Sequence, residues 1–201
     1  METRHNHHHV VDIVRRHGLM RARDAHAYGF NRMALSELTR QGELIRLHRG
    51  LYAPADRQTS EYTSLAEVSS KYPKTLVCLL SALQFHSLTT QAPFEVWVAI
   101  ANSARAPKLD YPPLRVVRFS GEALTAGIEK YQVDGVTVRV TNVAKTVADC
   151  FKYRNKIGLD VALEALRESW NTKQVSMDDL WHYGQICRVS NVMRPYLESL
   201  V

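Results

Sequence analysis

Cysteine is scarce in this chain, occurring three times in 201 residues, at positions 78, 150 and 187. The three are far apart, show no paired spacing and are odd in number, which argues against a disulfide framework or a zinc site. All three lie among apolar residues, so buried free thiols in a reducing compartment are expected. No apolar run approaches the ~18 residues that a membrane span requires, and the N-terminus has no signal-peptide pattern. The expectation is a cytoplasmic protein that does not enter a membrane. Catalytic patterns are missing too. There is no P-loop, no nucleophile motif and no metal-ligand spacing. A metal nuclease would need clustered carboxylates, and the strands offer only Glu95 and Asp134. His5 and His9 stand four apart, but no carboxylate or thiol completes a site with them. The chain therefore reads as a non-enzyme without cofactor or metal.

Lysine is absent from residues 1–57, where ten arginines face six acids. That stretch holds four of the six excess positive charges of the chain, whose pI is about 9.3. A local basic excess suggests a polyanionic partner. Arginine in place of lysine favours bidentate contact with phosphate or guanine.

Residues 31–52 are read as a helix, a sharp stop and a short basic hairpin. On a helical wheel Ala34, Leu35 and Leu38 share one side, while Arg32, Ser36, Thr39 and Arg40 gather on the other. Asn31 suits the N-cap, and Phe30 can reach Leu35 as a hydrophobic staple. Gly42 is a natural stop. The next run is expected to alternate, Ile45 and Leu47 to one side, Arg46 and His48 to the other. Arg49-Gly50 then turns the chain into Leu51-Tyr52. A helix with a basic outer face followed by a basic-tipped hairpin is the pattern of a winged helix-turn-helix.

Upstream, a first helix is expected from near Asn6 to His17, with Val10, Val11, Ile13 and Val14 inward. A second, short helix is expected from Arg21 to Tyr28, with Ala22, Ala25 and Tyr28 inward. Arg21 and Arg23 at its start can reach phosphate. Downstream, the polar stretch 53–60 contains a proline and has no periodicity, so a boundary is placed there: residues 1–55 as the DNA-binding domain and 59–201 as a second domain. A helix is expected from Ser60 to about Tyr72, and residues 75–88 as a buried element, helical from Ser81, with His86 a hydrogen-bonded core residue. Glu95 to Ile100 should be a central strand and Leu114 to Phe119 a less buried one. Asp134-Gly135 should tip a hairpin. Helices are expected at Val143 to Arg154, Leu159 to Trp170, from Ser176, and ending near Leu200. The fold class is α+β, an N-terminal winged helix-turn-helix followed by a mixed α+β domain. The apolar strands and Trp97 leave a ligand-responsive regulator as an alternative to a plain repressor.

Residues 19–53, through Asn31-Arg32-Met33-Ala34-Leu35, Gly42-Glu43-Leu44-Ile45-Arg46 and Arg49-Gly50-Leu51-Tyr52-Ala53, resemble the winged-helix domain of AbiEi-type antitoxins. These are transcriptional regulators of type IV toxin–antitoxin systems linked to abortive phage infection. Ser81-Ala82-Leu83 with His86 and Leu88, the strand at Glu95, and Lys145-Thr146-Val147-Ala148-Asp149 agree in order. The resemblance implies binding of promoter inverted repeats, autorepression, and counteraction of a nucleotidyltransferase toxin encoded alongside, with no direct complex assumed. The pair usually found before Lys145 is replaced by Val143-Ala144, so no family role is carried to Lys145. With Asp149 four residues on, a structural ion pair is expected. The expected DNA-binding residues are Arg21, Arg23, Asn31, Arg32, Ser36, Thr39, Arg40, Arg46 and Arg49, and the expected partner is double-stranded DNA.

Overall fold

The computed structural model describes residues 2–57 and 60–200, with side chains from His8 onward. The His5–His9 pair and Gln58-Thr59 of the polar stretch therefore fall wholly or partly outside the described residues. Two compact units emerge, Met1–Pro73 with Tyr131–Val138, and Lys74–Lys130 with Arg139–Val201.

The first unit opens with α1 (Glu2–His17), then β1 (Met20–Arg21), a 3-10 turn (Ala25–Tyr28), α2 (Arg32–Arg40), β2 (Leu44–His48), β3 (Leu51–Pro54) and α3 (Thr63–Lys71). The three strands form an antiparallel sheet in the order β1-β3-β2. Helix, strand, helix, helix and a two-stranded wing make a winged helix-turn-helix. Its core takes the expected apolar face of α1 (Val10, Val11 and Val14) against Phe30, Leu35, Leu38 and Tyr52. The staple partners Phe30 and Leu35 both lie in it. Truncating a fully buried leucine such as Leu35 to alanine typically costs about 2–5 kcal/mol.

Two expectations fail here, each for a backbone reason. Met20–Arg21 is not helical but extends against β3, pairing Met20 with Tyr52 and Arg21 with Leu51. Only the 3-10 turn is left of the second helix, and Tyr28 at its end is 40% exposed instead of inward. In β2 the register shifts between Arg46 and His48. The bulge inserts Leu47 out of phase and breaks the period of two. Ile45, ahead of the shift, is exposed because Leu44 is the residue turned inward, and His48 after it lies 3.4 Å from Glu67 of α3.

The second unit carries β4 (Leu76–Val77), α4 (Leu79–Phe85), β5 (Val96–Ala101), β6 (Leu114–Phe119), α5 (Glu122–Thr125), β7 (Ile128–Val133) and β8 (Val136–Thr141), then α6 (Val143–Lys152), α7 (Arg154–Ile157), α8 (Leu159–Asn171), α9 (Met177–Ile186) and α10 (Ser190–Glu198). The distal part of the β7–β8 hairpin, residues 131–138, belongs to the first unit. The five-stranded sheet runs β6-β5-β4-β8-β7, with β5 and β6 parallel. β5 is inside the sheet and buried along its length, as a two-faced apolar strand requires. Asp134 and Gly135 both take positive φ, the requirement of a type I′ turn. At Gly135 any Cβ would lie 2.0 Å from the carbonyl oxygen of His17, so only glycine fits there. Asn142 and Ser176 cap α6 and α9, accepting from the backbone N–H of Lys145 and Asp179. The fold is α+β, as expected, and no helix among the described residues is long and apolar enough to cross a membrane.

Candidate nucleic-acid interface

The Asn31 side chain accepts the N–H of Ala34 at 3.0 Å and starts α2. The helix then presents Arg32, Met33, Ser36 and Arg40 to solvent, while Leu35 and Leu38 are buried. At the wing tip Gly50 adopts φ 79°, and its carbonyl accepts the N–H of Ala22 at 2.8 Å. That bond pins Arg49-Gly50 beside the segment carrying Arg21 and Arg23.

The result is a cationic cleft. Arg21, Ala22, Arg23, Arg32, Arg49, Gly50, Leu51 and Lys71 line an open cavity of 470 Å³. Five of these eight residues are cations. Asp24 pairs with two of them, with Oδ2 3.2 Å from Nε of Arg21 and Oδ1 3.4 Å from Nε of Arg23. Burial, followed by repulsion from Arg23, lowers the pKa of Arg21, yet a guanidinium stays charged in proteins. Nη1 of Arg21 is buried and has no hydrogen-bond partner among the described residues. A buried unpaired donor is costly.

The expected residues divide accordingly. The cleft gathers Arg21, Arg23, Arg32 and Arg49. The others have different situations. Asn31 is occupied as a cap. Thr39 is half-buried, and its hydroxyl donates to the carbonyl of Leu35 at 2.7 Å. Arg40 is exposed but held by Glu37 at 2.7 Å, which raises its pKa through that hydrogen bond. Nε of Arg46 donates to the carbonyl of His48 at 3.3 Å, and Arg46 does not line the cleft. Ser36 is exposed in mid-helix.

Two residues join the set that the sequence reading left out. Lys71, from the end of α3, lines the cleft although it lies beyond the expected boundary. Met33 is 79% exposed on α2. Its wheel position carried the signal, since it lies opposite the Leu35–Leu38 face.

Behind the wing, Glu67 of α3 is buried between His48, 3.4 Å away, and Arg57, 2.9 Å away. This ties the base of β2 to α3. In the second unit, His86 meets the expectation of a bonded histidine, with Nε2 2.7 Å from the carbonyl of Thr141, and burial lowers its pKa. Lys145 and Asp149 form the expected ion pair at 2.6 Å, with side chains 0% and 1% exposed. Trp97 belongs to the core cluster. Among the described residues no group of three or more His, Cys, Asp or Glu is placed to hold a metal.

No curated protein matches the sequence. A crystal structure of the RV2827C protein from Mycobacterium tuberculosis superposes with a TM-score of 0.56 at 14% identity, covering 96% of this chain and 79% of that one, a likeness of fold. Residues 10–55 match the family described as transcriptional regulator, AbiEi antitoxin. That stretch carries the helices and wing from which most of the cleft is built, and in it the chain is similar to the AbiEi antitoxin transcriptional regulators.

Proposed function

We propose that the protein is the antitoxin of a type IV toxin–antitoxin system and represses its own operon by binding inverted repeats in the promoter. The observation that carries this reading is the cleft, where Arg21, Arg23, Arg32, Arg49 and Lys71 meet between the start of α2 and the wing tip. An HTH recognition helix contacts base edges from its N-terminal residues. That is where Arg32 stands. In the proposed complex α2 lies in the major groove with Arg32, Ser36 and Arg40 toward the bases, Thr39 and Asn31 beside them, and Met33 toward a thymine methyl group. Arg40 must exchange Glu37 for DNA. Arg21, Arg23, Arg49 and Lys71 hold backbone phosphates, and Arg46 extends this contact along the wing.

The division of labour proposed from the sequence assigns residues 1–55 to DNA and residues 59–201 to antitoxicity and regulation. Lys71 adds a phosphate contact from outside the first segment. The protein acts in the cytoplasm as a non-catalytic regulator, and its functional partner is a nucleotidyltransferase toxin with which no stable complex is required. Gel-shift titration against the DNA upstream of its own reading frame, with scrambled competitor and a salt series, tests the reading. Competitor-resistant binding in two steps is expected of paired repeats. Equal, weak binding to every sequence would overturn it.

A further inference from the structure

Two aromatic rings of the second unit are left in water. Phe94 is 82% exposed and Tyr111 is 66% exposed. They precede neighbouring strands. Val96 pairs with Leu114, and the N–H of Val96 donates to the carbonyl of Pro113 at 2.8 Å. The segments that carry the rings therefore enter β5 and β6 side by side.

Between these strands runs a crossover of twelve residues, 102–113, with no helix or strand of its own. Irregular connections of that length are uncommon in ordered domains unless they serve a function. This one is built. Arg118 of β6 donates through Nη1 to the carbonyls of Ala101, Asn102 and Ala104 at 3.0, 2.6 and 3.0 Å. Arg105 and Lys108 follow, both exposed, and then Tyr111. Arg115 lies 5.7 Å above the Trp97 ring and neutralises Glu95 at 2.9 Å. Apart from that paired glutamate, Asp110 is the acid of this stretch.

We propose that this face binds single-stranded nucleic acid, with bases stacked on Phe94 and Tyr111 and the backbone held by Arg105 and Lys108. Stacking platforms flanked by cations are how proteins hold unpaired strands without reading sequence. A duplex keeps its base faces covered and offers these rings nothing to stack on. A second copy of the chain is disfavoured by charge, since it would bring the same cations against each other. The arginines on β6 guard that edge strand against self-pairing in the same way. The inference is independent of the cleft in the first unit.

The test uses the full chain carrying Arg49→Ala, which weakens the other cationic site, and a fluorescent twelve-residue oligothymidylate or oligouridylate read by anisotropy. Binding should persist in that variant. Replacing Phe94 and Tyr111 together by alanine should weaken it at least about 25-fold, given ~5-fold or more per stacked base, with an unchanged thermal melt. The pair Phe94→Tyr and Tyr111→Phe should restore it. No binding by the parent, equal binding by the alanine pair, or full rescue by Phe94→Leu with Tyr111→Leu would overturn the proposal. So would an alanine pair that alters self-association by light scattering while oligonucleotide affinity stays unchanged.

Discussion

The cleft of the first unit and the core of the second each hold cations, under opposite conditions. In the cleft, five cationic residues line a cavity of 470 Å³, and one guanidinium nitrogen of Arg21 is buried without a hydrogen-bond partner among the described residues. In the core, Lys145 is fully buried, yet its ammonium is satisfied. Asp149 accepts from it at 2.6 Å, and the Phe119 ring lies 4.6 Å from the nitrogen. Cys187 completes the carboxylate's shell, its thiol donating to Asp149 at 3.2 Å. Burial raises the pKa of Asp149, and Lys145 opposes that rise. The core resolves its charge internally and needs no ligand. The cleft gathers its cations on an open surface, and that contrast is what the proposed function rests on.

Breaking the core pair gives the largest expected effect. Asp149→Ala leaves a buried ammonium uncompensated and should cost about 3–5 kcal/mol in urea unfolding. The double variant Lys145→Met with Asp149→Leu should recover most of that loss, because buried pairs are often replaceable by apolar residues of like volume. A double variant as unstable as the single one would mean that the pair does more than balance charge.

Changes in the cleft should act in the opposite way, on binding with stability untouched. Arg32→Ala should reduce discrimination between the promoter and a scrambled duplex by about 1–3 kcal/mol in competition gel shifts. Its melting curve should stay within about 0.5 kcal/mol of the parent, as for ordinary surface substitutions. Equal loss on both duplexes would reassign Arg32 from base to phosphate.

Met33 offers a smaller and sharper contrast. If its exposed thioether packs on a thymine methyl, replacing thymines of the operator by uracil should cost roughly 0.8 kcal/mol, the worth of one buried methyl-sized group. Met33→Ala should be indifferent to that replacement, and equal sensitivity in the two proteins would remove Met33 from the interface.

His86 should show the smallest effect. Burial lowers its pKa from the ordinary 6.5. The unfolded chain therefore takes up the proton first as pH falls, and the stability contributed above about 6.5 is lost below it. Thermal melts from pH 7.5 to 5.5 should decline more steeply for the parent than for His86→Gln, which keeps a donor for the Thr141 carbonyl. Parallel declines would remove His86 from the acid response.

Local chemistry explains what was legible in the sequence. Asn31 caps the helix that follows and Ser176 starts another, because an N-cap is decided by its own side chain and an N–H three residues on. Asp134-Gly135 names its turn in the same way. The buried pair Lys145–Asp149 follows from helical spacing. The features that were not legible depend on partners distant in sequence. Met20–Arg21 is a strand because β3 offers it an edge some thirty residues later. The bulge at Leu47 reverses the phase of β2, and no side-chain alternation announces it. Lys71 reaches the cleft from beyond an apparent boundary, so a reading that stopped at residue 55 had no reason to include it. For Arg40 and Thr39, the wheel placed both side chains but not the competing partners Glu37 and the Leu35 carbonyl.

The most direct test of the central claim is the salt dependence of promoter binding for the parent and for Arg49→Ala, measured at equilibrium across a range of monovalent salt. Each phosphate contact releases condensed counterions, so a plot of log affinity against log salt has a slope of about −0.9 per contact. Removing Arg49 should flatten that slope by roughly one unit and weaken binding to specific and scrambled duplexes alike. An unchanged slope would mean that the cleft does not hold the DNA backbone.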